Sequence, residues 1–90
     1  MNAFDFRAAT VSLADRVMAI APASPARARF VPEAARNLSE VANLSQARWE
    51  HALRAARASA KNIAPDAAET IGVLEAIDGL LAAVAGGAVY

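Results

Sequence analysis

The chain has 90 residues, with nine basic and nine acidic side chains, one histidine and no cysteine. That length allows one small domain with a single core. The missing thiols exclude a disulfide framework, a thiolate metal site and a cysteine nucleophile. Hydrophobic residues make up 57% of the chain but aromatic ones only 6%. Alanine supplies much of the difference, and β-branched residues are too sparse for several strands, so the composition predicts thin, closely packed helices. The fold class expected is all-α: a small three-helix bundle, or a long helical hairpin with a third helix packed alongside.

Charge is segregated along the chain. All nine basic side chains lie in residues 1–61, whereas residues 62–90 carry four acidic side chains and no basic one. A basic front and an acidic rear can attract each other within one fold. The start "MNAFDFRAAT" has no basic run before an apolar one, so no signal peptide is expected. The most apolar stretch, 71–90, is interrupted by Glu75 and Asp78 and is too short and polar to span a bilayer. The expected setting is cytoplasmic, with no membrane partner.

The first helix is expected over 3–21, with Asn2 as N-cap and Asp5 three residues on in an approximate capping box. At about 100° per residue, Phe6, Thr10, Leu13, Ala14, Val17, Met18 and Ala21 share one arc, which Phe4, Val11 and Ile20 widen. An apolar arc this broad wants neighbours on more than one side. Pro22 and Pro25 then end the helix, and 22–32 reads as an extended linker with Phe30 pinning it to the core.

Pro32 suits the first turn of a second helix, carried over 33–62. Asn43, with Gln46 three residues on, can cap a new start and kink this helix near 43–45. Leu38, Val41, Ala42, Ser45, Trp49, Ala52, Leu53, Ala56, Ala60 and Ile63 fall on one arc, with Trp49 near its centre. His51, two positions from Trp49, points the other way, so the pair forms no site and the lone histidine has no companion for a metal. Trp49 is the largest single piece of core or of an interface, and its indole N–H needs a partner. On the polar face Glu50 and Arg54 are spaced for an i,i+4 pair. Arg54, Arg57 and Lys61, with Arg27 and Arg29 in the linker, form a short basic stripe. Such a stripe is a candidate contact for phosphates or an acidic partner, and equally for the chain's own acidic third helix.

The third helix is expected over 66–85, opened by Pro65 and Asp66 with Glu69 at capping-box distance and closed by Gly86 and Gly87. The last residues, "AVY", make a short apolar tail that can fold back onto the bundle. Val73, Leu74, Ile77, Leu80, Leu81 and Val84 give an aliphatic face, while Gly72, Ala76, Gly79 and Ala83 gather on another side. Two glycines inside a helix cost about 1 kcal/mol each against alanine. Small residues let another helix backbone approach, so this ridge is a candidate protein interface together with Trp49. Replacing Gly79 with Leu should then block a partner while the domain stays helical.

No residues stand at the spacings of a catalytic constellation, a metal site or a nucleotide-binding loop, so no cofactor, metal or catalytic residue is expected. The surplus apolar helix surface leads to a non-catalytic protein-interaction module, such as an adaptor, a chaperone-like subunit or an inhibitor of a larger protein. Its partner is another protein or a second copy. The alternatives are a nucleic-acid-associated regulator using the basic stripe, and a structural subunit of a larger assembly.

Overall fold

Asn2 starts the first helix through one bond: its Oδ1 accepts from the Asp5 amide at 2.8 Å. Helix α1 runs over Ala3–Met18 in the computed structural model, which describes residues 1–89. Three more helices follow, α2 over Phe30–Glu40, α3 over Trp49–Ile63 and α4 over Ala68–Ala85. No strand occurs among the described residues, and the fold is all-α, 39 × 20 × 18 Å. Helix α2 packs most extensively against α1 and α3, α3 also packs on α4, and α4 closes back on α1.

Helix α1 stops three residues before its expected end. The Ala19 amide donates to the Arg16 carbonyl at 3.2 Å, and the Ile20 amide donates to the Val17 carbonyl at 3.0 Å. That tightened last turn lets Ile20 bury itself while Ala21, next to Pro22, leaves the helix. The linker is ordered rather than merely extended. It contains a 3₁₀ turn at Pro25–Arg27, and the Ala23 amide donates to the Ile63 carbonyl at 2.9 Å. Arg27 Nη1 donates to the Asn62 carbonyl at 2.9 Å, supplying a partner for the last turn of α3. Helix α2 begins at Phe30, ahead of the expected 33, and Phe30 is half-buried against the core as its anchoring role requires.

The expected second helix is two helices. Residues 41–48 form two 3₁₀ turns, Val41–Asn43 and Gln46–Arg48, joined through an extended Leu44 and Ser45. The weak point at 43–45 is a full break, and its chemistry differs from the expected cap. Asn43 Oδ1 accepts from Arg7 Nη2 at 2.8 Å instead of capping a helix. The extended Leu44 presents its carbonyl to the Trp49 indole N–H, which donates to it at 3.0 Å. Trp49 thus fastens the corner that it follows.

Helix α4 starts later than expected, at Ala68, and has no side-chain cap, so the box from Asp66 to Glu69 does not form. Its C-terminal end closes as two glycines allow. Gly87 takes φ +69°, the Gly87 amide donates to Val84 and the Ala88 amide to Ala83, a Schellman arrangement. The tail folds back: Val89 packs on the core and the Met1 ammonium donates to the Ala88 carbonyl at 2.9 Å. Tyr90 lies outside the described residues.

One core unites the helices. Phe6, Leu38, Leu53, Ile63 and Ile77 are its largest fully buried side chains, and Ala34, Ala56 and Ala60 are fully buried beside them. Helices α2 and α3, which pack on each other, carry buried alanines, and side chains this small allow close packing. Two threonines are also buried. Thr10 donates to the Arg7 carbonyl at 3.0 Å, whereas the Thr70 hydroxyl has no partner among the described residues. An unpaired buried hydroxyl costs about 1–3 kcal/mol. Thr70→Val, nearly the same shape, is therefore expected to raise stability by about 1 kcal/mol in urea denaturation. A loss of stability would mean that the hydroxyl has a partner after all.

Candidate interaction surface

Trp49 belongs to the core. Its side chain is 5% exposed and stacks on Phe6 with ring centroids 4.2 Å apart and planes 18° from parallel. With its N–H satisfied by Leu44 and its ring stacked on Phe6, the indole is engaged chiefly within the chain. His51 is exposed, and no group of metal-ligating side chains gathers among the described residues.

The small-residue ridge of α4 lies on the flank of that helix rather than on a free face. Gly72, Ala76 and Ala83 are half-buried and only Gly79 is exposed. A Cβ at Gly72 would stand 3.1 Å from Arg16 Nη2, so the arginine of α1 already crosses the ridge there. A Cβ at Gly79 would meet nothing within 4 Å. The two glycines therefore do different things. One makes room for Arg16, and the other faces open space.

The basic stripe is largely engaged by its own chain. Arg54 reaches Glu50 at 2.9 Å, the expected i,i+4 pair. Arg57 grips Asp78 of α4 through both carboxylate oxygens, Nε to Oδ1 at 2.7 Å and Nη2 to Oδ2 at 3.0 Å. The hydrogen bonds from Arg57 hold the Asp78 carboxyl below its usual range, and those same bonds raise the guanidinium of Arg57. Both side chains remain substantially open to water, so the pair is worth well under about 1 kcal/mol. It does join the basic front to the acidic rear. Arg27 is committed to the Asn62 carbonyl, and Arg29 lies over the Phe30 ring, 4.8 Å from its centroid. Lys61 is exposed.

Three of the exposed large apolar side chains lie on α1, among residues that share its broad apolar arc. Phe4 is 78% exposed, Val11 43% and Met18 59%. They stand seven residues apart, so they form one stripe along the helix. The stripe lies roughly 120° round from the buried row of Phe6, Thr10, Leu13, Ala14 and Val17. Core row and stripe are both apolar and the fold covers only the first, while Asp5, Ser12, Asp15 and Arg16 make the remaining polar side. Ala8 and Asp15 fill the gaps in the stripe, and both are exposed. The signal available in the sequence was the spacing of seven. It was masked because an uninterrupted apolar arc does not say which half meets the neighbouring helices.

Two shallow clefts among the described residues are both smaller than the roughly 300 Å³ at which ligand pockets begin. One, about 190 Å³, lies between Arg16 and Ala19 of the α1 end and Glu69 and Val73 of α4. The other, about 110 Å³, is bordered by Gln46, Trp49, Val84, Gly87 and Val89. No helix among the described residues is long and apolar enough to cross a membrane. No protein-family model, curated protein or solved structure matches the chain.

Proposed function

We propose that the chain is a non-catalytic protein-interaction module that works through the outer face of α1. The observation that carries this reading is the stripe of Phe4, Val11 and Met18, held open to water along a 16-residue helix whose other side is anchored in the core. Large apolar side chains scattered singly on a surface need no explanation, but three in line on a rigid helix form a ready docking face. An adaptor, a chaperone-like subunit and an inhibitor would all use such a face, as would a structural subunit of a larger assembly. Trp49 and the ridge of Gly72, Ala76, Gly79 and Ala83 support the reading less, since Trp49 is buried, Arg16 crosses the ridge at Gly72, Ala76 and Ala83 are half-buried, and Gly79 alone is open. The phosphate-binding alternative is the weaker one, since Arg27, Arg29, Arg54 and Arg57 each have a contact within the chain.

A photo-crosslinking amino acid placed at position 4 tests the reading in cells, with the exposed position 51 as control. Discrete protein adducts are expected from position 4 and not from position 51. Equal yields and equal products at both positions would end the proposal.

A further inference from the structure

We infer that the occupant of the α1 face is a second copy of this chain, bound antiparallel about a two-fold axis at Val11. This inference rests on the interaction reading above and names its partner. The argument is the arrangement of charge and bulk about Val11. Phe4 and Met18 lie seven residues to either side of it, and Arg7 and Asp15 lie four residues to either side. All five side chains are exposed. In an antiparallel pair centred on Val11, each Phe4 meets the Met18 of the other copy, a thioether on an aromatic ring. Each Arg7 then faces an Asp15 across the rim of the contact, and the two valines meet at the axis. A parallel pair would set Arg7 against Arg7 and Asp15 against Asp15. The charges therefore choose the orientation.

The free chain leaves these groups available. Asp15 has no ion-pair partner among the described residues. Arg7 uses one of its five donors on Asn43, which leaves the others for a carboxylate. Ala8, small and exposed beside the stripe, lets the second helix approach. The two-fold makes the contact isologous, so one face serves both copies and the assembly closes at two. A contact made by one helix about 24 Å long falls below the roughly 800 Å² per partner of a standard interface. The dimer is accordingly of the weak, reversible kind.

Sedimentation equilibrium of the full chain from low to high micromolar concentration tests the inference. The unsubstituted chain is expected to pass from monomer to dimer and no further. Val11→Asp places two carboxylates at the axis and is expected to abolish the dimer, with far-UV circular dichroism unchanged because Val11 lies off the core. Arg7→Asp alone and Asp15→Arg alone should each weaken the dimer about tenfold. Arg7→Asp combined with Asp15→Arg exchanges the charges and should restore it. If loss of the Asn43 bond disturbs Arg7→Asp, Asp15→Arg alone still reads the rim charge, having no internal partner to lose. A chain that stays monomeric throughout overturns the second copy as occupant, while the crosslinking at position 4 still decides the wider reading. A dimer unaffected by Val11→Asp, or a double variant no better than the worse single one, overturns the geometry.

Discussion

Trp49→Ala is expected to cost about 3–5 kcal/mol, most of the stability that a domain of this size holds. The ring is buried, stacked on Phe6, and is the largest side chain in a core otherwise thin in large groups. Its removal opens a cavity where α1 meets the corner between α2 and α3, and it also strands the Leu44 carbonyl. Urea denaturation followed by circular dichroism should show a midpoint moved to much lower urea. Trp49→Phe separates the two contributions. It keeps a ring against Phe6 and loses only the indole N–H and some volume, so a milder loss of about 1–2 kcal/mol is expected. If both variants denature at the parent's midpoint, the tryptophan is not the fastening of this corner.

The second large effect runs against simple hydrophobicity. Ala60→Leu adds apolar carbon to a helix yet is expected to destabilise by about 1–3 kcal/mol. Ala60 is fully buried on a helix that packs against both α2 and α4. Three extra carbons there must push the helices apart or adopt a strained rotamer. Ala58→Leu is the control, since Ala58 sits on the exposed side of the same helix and should change stability by less than about 0.5 kcal/mol. Thermal denaturation of the pair reads the contrast. A stabilised Ala60→Leu would mean that the helices leave room there.

These effects show which parts of the fold were legible in the sequence. The buried rows of α3 and α4 follow from helical spacing, because Leu53, Ala56, Ala60 and Ile63 and then Val73, Ile77, Leu80 and Leu81 each fall on one side of their helix. Asn2 as a cap and Gly86 with Gly87 as a stop were equally local, and each acts within one turn of its own position. The break at 41–48 was only half visible. Two helices that bury Leu38, Val41, Trp49 and Leu53 in the same core carry the same periodicity as one continuous helix, and neither proline nor glycine marks the corner. What fixes the corner is non-local: Arg7 reaches Asn43 from α1, and Trp49 stacks on Phe6 while holding Leu44.

The candidate surface was less legible still, for a related reason. Periodicity reports a broad apolar arc on α1, but the number of neighbours decides which part of it is covered. Helices α2 and α4 cover the row from Phe6 to Val17, and Phe4, Val11 and Met18 are left outside. Helical spacing thus predicts surplus apolar surface on both α1 and the α4 ridge without choosing between them. On the ridge, Gly72 answers to Arg16 within the chain and Gly79 faces open space.

Backbone amide shifts of the isotopically labelled chain, recorded over a dilution series, bear most directly on the role of the α1 face. Concentration-dependent shifts are expected to gather on Phe4, Arg7, Ala8, Val11, Asp15 and Met18, while Gly72, Ala76, Gly79 and Ala83 hold still. Shifts that gather on those four positions of α4, or that move nowhere while the chain self-associates, would contradict it.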